Sequence, residues 1–502
     1  MSELQRRTFL ATTATGLGIT GLLRSLGPLS AADVMLGQGI ARFSNDIEPL
    51  VRFLEETPQE SIIEATARKV KAGLGYRELL AALLLAGVRN IEPRPSVGFK
   101  FHAVLVVNSA HLASISSSNE DRWLPIFWAI DNFKSSQARD IREGNWTLPA
   151  VDEAALPPST EADASLRVAL DAWDESAADA AITSLVRNAG ANRVFELLAT
   201  YAARDFRSIG HKVIYLSNAF RTLQTIGWEY AEPVMRSLVY AMLNHNGEPN
   251  PGTSDLEADR PGRVNREQSA KLTASLIGGV VDDVATRDLV RTLHDCSPTE
   301  ASDQVAELLR RNVSVQSVWD AMFAAAGELL MRQRGIVSLH SVTTTNAIHY
   351  AFQTAGDEQT RKYLLLQNAS FLPMFRDAAG RRGDLSDARI DELGSTAPEE
   401  NVTSIPEVFE TMGKSRQQAS RQMYHLLAAG GDPQAMVDHA RRLVFLKGND
   451  SHDYKFSSAA LEDYRILSPA WRNRFLAAST FQLCSPSEAT RPLVERIQNA
   501  IG

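Results

Sequence analysis

The pattern His-x-Val-x-x-x-Asn-x-x-His occurs twice in this chain, from His102 to His111 and from His340 to His349. Histidine is scarce, ten among 502 residues, so composition does not account for the coincidence. A second echo follows in the same order. His211-Lys-Val-Ile-Tyr215-Leu-Ser217-Asn-Ala219 lines up with His452-Asp-Tyr-Lys-Phe456-Ser-Ser458-Ala-Ala460. A third is a helix-start device, Thr57-Pro-Gln-Glu60 and Ser297-Pro-Thr-Glu300, which returns once more as Ser485-Pro-Ser-Glu488. Here a hydroxyl caps the helix, proline takes the first helical position and glutamate reaches back to the cap. The two later copies also share a preceding cysteine, Cys296 and Cys484. Both histidine signatures, and the first two caps, recur after about 240 residues, the mark of an internal duplication.

The repeating unit reads as helical. Residues 61–73, 77–86, 181–186 and 194–203 are rich in Ala, Leu, Glu and Arg, with apolar positions every three or four. The expected fold is all-α: two similar helical halves, packed pseudo-symmetrically or as a short helical-repeat array. Residues 33–295 form the first half, 296–484 the second, and 485–502 a closing helix. Turn chemistry marks excursions at 148–162, 244–268 and 394–406. The β-branched runs Val104–Val107 and Val342–Thr345 leave a short strand as an alternative within each double-histidine segment.

The N-terminus is of a different kind. Arg6 and Arg7 stand directly ahead of Phe9 and Leu10, a mild apolar stretch runs to Leu23, and small residues at Ser30, Ala31 and Ala32 follow Pro28. Residues 1–32 thereby resemble a twin-arginine signal peptide. The resemblance implies an exported, periplasmic or extracytoplasmic protein that crosses the membrane already folded, as many cofactor-carrying passengers do. Gly16-x-Gly18-x-x-Gly21 matches a dinucleotide fingerprint in letters only, since no strand precedes it.

Composition excludes several classes. A net charge of −8 argues against a nucleic-acid partner. No apolar run is long enough for an integral membrane span. Two cysteines cannot build a disulfide scaffold or a thiolate cluster. HExxH, GxSxG, the P-loop and CxxC are all missing.

What remains is histidine placement. Six histidines, His102, His111, His211, His340, His349 and His452, occupy matched positions, and imidazole is the commonest metal ligand. Brought together between two halves, they would bind a metal ion or a haem, which points to redox chemistry. Nine residues of straight helix place His102 and His111 on opposite faces, so not all six converge. His111, His349, His211 and His452 are the preferred set, with His102 and His340 in reserve. Asn108 and Asn346 share faces with His111 and His349, and Asp205 is placed to orient His211. Lys455 sets a charge beside His452. The same matched residues also suit a purely structural role, capping equivalent buried backbone. The alternative function is then a cofactor-free helical-repeat scaffold that binds a protein or polysaccharide; a hydrolase or lyase with one histidine as general base is a third. Whether the partner is a small molecule or a protein is left open. The four unmatched histidines, His245, His294, His425 and His439, read as surface or helix-end residues. Cys296 and Cys484, each just before a helix cap, read as thiols acidified by the helix dipole, as a bridge, or as small buried hydrophobes.

Overall fold

The computed structural model describes residues 39–93, 99–243, 247–400 and 402–502. The reading of residues 1–32 as an export signal, and the placement of His245, lie outside the described residues. Within them the fold is all-α, 69% helical with 22 α-helices, and the sole β-features are two isolated bridges.

In the first part of the chain the helices are α1 (Glu48–Glu56), α2 (Gln59–Lys71), α3 (Tyr76–Asn90), α4 (His102–Ile115) and α5 (Leu124–Glu143). Next come α6 (Ala162–Ala172), α7 (Glu175–Asn188), α8 (Ala191–Ala202), α9 (His211–Ile226), α10 (Ala231–Met242) and α11 (Arg260–Lys271). The second part begins with α12 (Asp283–Asp295), α13 (Pro298–Arg310), α14 (Val315–Arg332), α15 (Ile336–Thr354) and α16 (Glu358–Gly380). It continues with α17 (Ile405–Met412), α18 (Arg416–Ala428), α19 (Pro433–Lys447), α20 (Ser451–Asp463), α21 (Pro469–Ser479) and α22 (Pro492–Ile501).

Both double-histidine segments are helical: the 3.6 period absorbs their β-branched runs because every face of α4 and α15 finds apolar or hydrogen-bonded neighbours. From His102 to Ala110, and from Val337 to His349, every residue is buried. A helix apolar all round belongs in the middle of a protein. α4, α9, α15 and α20 form that middle as a ring: α4 and α15 each pack against both α9 and α20. Elements from the two parts of the chain therefore alternate around one centre, and the parts interlock instead of stacking end to end. Flanking helices repeat the scheme, with α3 and α5 beside α4, and α14 and α16 beside α15. The tails cross over. α11 packs on α13 and α16, while α22 packs on α2 and α5 and holds Glu64 through a two-pronged ion pair from Arg496.

Two hydrogen bonds stitch the ring reciprocally. Ser217 Oγ donates to the Ala347 carbonyl at 2.8 Å, and Ser458 Oγ to the Ser109 carbonyl at 3.1 Å. In the sequence correspondence Ser217 matches Ser458 and Ser109 matches Ala347, so each bond is the counterpart of the other.

The three helix-start devices part company. Ser297 makes the full reciprocal box with Glu300. Thr57 instead ends α1, its hydroxyl donating to the Phe53 carbonyl at 2.6 Å, because two residues between helices leave room for only one cap. Ser485-Pro-Ser-Glu488 closes a turn, with Ser485 N–H donating to Glu488 Oε1 at 3.0 Å. The closing helix starts later, at Pro492, whose ring holds Arg491 extended and ends any helix begun upstream. The excursion expected over 244–268 likewise ends early, since Pro261 opens α11.

Candidate metal centre

Four imidazoles meet at one end of the central ring. His102 and His211 are the first residues of α4 and α9, His452 is the second of α20, and His340 lies in the first turns of α15. Gly210, just before α9, takes a left-handed φ of +81°, and a Cβ there would strike the Thr344 side chain. That glycine lets α9 begin against α15, which sets His211 beside His340.

The rings are in mutual contact. Centroids of His211 and His340 are 4.5 Å apart, as are those of His102 and His452. The other two sides of the square, His102–His211 and His340–His452, measure 4.8 and 5.3 Å. His211 Nε2 lies 3.0 Å from His102 Nε2 and 3.0 Å from His340 Nε2. One nitrogen from each of His102, His211 and His340 falls within 4.8 Å of the others, so this buried group could hold a metal ion.

Proton positions follow from the other ring nitrogens. A carbonyl can only accept, so His211 Nδ1 donates to Ser208 O at 2.7 Å and His340 Nδ1 to Ile336 O at 2.6 Å. In neutral rings both Nε2 atoms are then bare lone pairs, 3.0 Å apart. Two lone pairs at that distance repel unless a positive species lies between them. Burial drives the pKa of His211 and of His340 well below the ordinary value, aided at His211 by Lys455 and at His340 by His211 and Lys455. Both rings are thereby kept neutral, which leaves the two Nε2 lone pairs free to serve as metal ligands. A tetrahedral ion with nitrogen ligands at 2.0–2.1 Å separates them by about 3.3 Å, a few tenths beyond what is found. His452 Nδ1 lies 3.1 Å from the Asp450 carboxylate, an outer partner that fixes the ring. Lys455, one turn further along α20, is buried and its Nζ has no hydrogen-bond partner.

His111 and His349 are not part of this cluster. His111 sits between Tyr76 Oη, 3.0 Å from Nδ1, and Thr225 Oγ1, 3.2 Å from Nε2, so both of its nitrogens are spoken for. His349 is enclosed by Trp319 and Phe323, ring centroids at 4.6 and 5.2 Å, and burial pulls its pKa down to about 3. The convergence thus falls on His211 and His452 with the reserve pair His102 and His340. His102 and His111 do leave α4 in different directions.

The supporting residues also differ from expectation. Asp205 is paired with Lys212 at 2.8 and 2.9 Å, and the Ser208 carbonyl orients His211 in its place. Asn108 donates to Asn218, and Asn346 to Glu462 and Asp463, away from any histidine. His294 is no surface residue: its Nδ1 is 2.6 Å from buried Glu328, a pair without any sequence signature because 34 residues separate them. His425 faces the Thr396 carbonyl, and His439 stacks edge-on against Phe409. Cys296 and Cys484 are free thiols. Burial raises both of their pKa values, that of Cys296 to about 11, outweighing any helix dipole. No helix among the described residues is long and apolar enough to cross a membrane.

No protein-family model matches the chain, and neither a curated protein nor a solved structure is similar to it.

Proposed function

We propose that this chain is an exported metalloprotein that holds one transition-metal ion between its two parts through His102, His211 and His340, with His452 beside them, for redox chemistry. The observation that carries the reading is the pair of confronted lone pairs on His211 and His340, each exposed by a carbonyl that claims the opposite nitrogen. An all-imidazole donor set suits copper, iron, nickel or zinc better than magnesium or calcium. A haem fits poorly, because a macrocycle would have to enter between rings already in contact. The paired arginines Arg6 and Arg7 support export, and a twin-arginine route would carry the protein folded with its ion in place. The interlocked ring and its reciprocal serine bonds support descent from a duplicated half.

Elemental analysis and a visible spectrum on protein without a histidine tag test the proposal. Near-stoichiometric metal that disappears in His211→Ala/His340→Ala is the expected result. A metal-free wild type that takes up no copper, iron or zinc overturns it and leaves the helical scaffold as the function.

A further inference from the structure

The correspondence that sets His211 against His452 sets Ile214 against Lys455. Both side chains are 2% exposed. The central ring accepts a plain aliphatic residue at this place in α9, and puts an amine there in α20. Burying an amine without a partner is costly relative to an aliphatic chain. Packing alone gives no reason for it.

The other buried lysines show what a satisfied one looks like. Lys212 pairs with Asp205, Lys100 lies 2.8 Å from Asp140, Lys134 donates to the Leu54 and Glu55 carbonyls, and Lys362 to the Leu272 carbonyl. Lys455 Nζ alone among the buried lysines makes no hydrogen bond. It stands one turn beyond His452 on the same face of α20. The converging group is three neutral imidazoles with no carboxylate, so a divalent ion held there would keep its charge uncompensated in a buried site. Asp450, the acid nearest in sequence, is engaged with His452. The N-termini of α4, α9 and α20 point positive potential at the same place.

Resting on the metal reading above, we propose that the bound ion carries a small anion of one to three heavy atoms, of the hydroxide, peroxide or azide type, whose far side accepts a hydrogen bond from Lys455 Nζ. The amine is then a positioning residue for an exogenous ligand of the metal. The dense packing of the rings limits that ligand to a few atoms.

The test uses the full chain loaded with copper(II), titrated with azide and followed by the azide-to-copper charge-transfer band. Lys455→Ile is the main variant, because it installs the residue that the matching position already tolerates; Lys455→Met serves if that variant gives no folded protein. The expected result is unchanged copper per chain with azide affinity at least tenfold weaker. Three outcomes overturn the inference while leaving the metal reading intact: equal azide affinity in wild type and variant, no azide binding by copper-loaded wild type, or loss of copper from the variant, which would make Lys455 a ligand. Failure of wild type to bind copper or any other metal shows directly in the elemental stoichiometry and removes both readings together.

Discussion

His102 and His340 open the same repeated pattern that His111 and His349 close, yet the two pairs end in unlike surroundings. The first pair meets rings from α9 and α20, and the Nε2 atoms of both lie 3.0 Å from His211 Nε2. The second pair is dispersed: His111 between two hydroxyls, His349 in an aromatic cage. The difference lies in what claims each nitrogen. A buried histidine whose nitrogens all face donors or apolar rings is part of the packing. Where one nitrogen is spent on a carbonyl and the other confronts a second lone pair, that second nitrogen is left free to take a ligand. Repetition in sequence therefore marks both pairs equally, and only the geometry of the second nitrogen separates them.

The sharpest way to break this comparison is by exchange. His211→Ala/His340→Ala should lower bound metal from about one ion per chain to a tenth or less, since two of three ligands are lost. His111→Ala/His349→Ala should keep it, at some cost in stability. Equal metal content in the two double variants would end the distinction. Metal retention should also fall with pH in the wild type, because each ligating imidazole must be neutral.

The second pair makes its own prediction. His349 has a folded pKa of about 3, far below the ordinary 6.5, because burial disfavours its charged form, helped by Arg221. The unfolded chain binds a proton there that the folded chain refuses. Stability from this residue is complete above about pH 6.5 and is lost as pH falls toward 3. At pH 4 the loss relative to pH 7 is roughly 3 kcal/mol. His349→Phe, which suits the Trp319 and Phe323 cage, should flatten that part of the pH profile in urea unfolding. A wild-type profile that the substitution leaves unaltered would show that His349 is already protonated in the fold.

Gly210→Ala comes next, at about 2 kcal/mol. It adds a Cβ against Thr344 at a left-handed position, so α9 must withdraw from α15 and take His211 with it. Thr344→Ala should recover part of the loss by removing the steric component, leaving the strain of the φ angle. Full recovery would mean that φ is unimportant there.

These cases also show what was legible in the chain. Helical class, loop positions and the six matched histidines follow from periodicity and repetition, which are local properties. Which four histidines converge does not, because His102, His211 and His452 sit at helix starts, where the crossing of helices decides the direction of a side chain. Asp205 was a reasonable partner for His211 by spacing, but Lys212 is closer and oppositely charged. The helix-start device worked only at Ser297, since Thr57 also had to end the previous helix and Pro492 overruled Ser485. Of the three readings of the thiols, the helix-dipole one fails and the small buried hydrophobe fits Cys484, because burial, invisible in sequence, outweighs the dipole at both cysteines. Lys455 was visible as a charge beside His452. Its burial and its lack of a partner were not, though the matching Ile214 is a signal that could have raised the question.

The smallest effects test the two-fold correspondence itself. Ser217 and Ser458 donate to carbonyls that also belong to the helix ladder, so removing either hydroxyl leaves no orphaned group. Ser217→Ala should cost about 1 kcal/mol and Ser458→Ala about half that, because Ser217 is wholly buried and Ser458 only partly. The two bonds join different helix pairs, so the double variant should show nearly additive losses in urea unfolding. A loss well beyond the sum would mean that the ring opens as one unit, in which case the histidine end loosens too and metal release should quicken with it. Additive losses with unchanged metal release would instead show that the seam and the cluster are separate supports, leaving the cluster to the carbonyls of Ser208 and Ile336 and to Gly210.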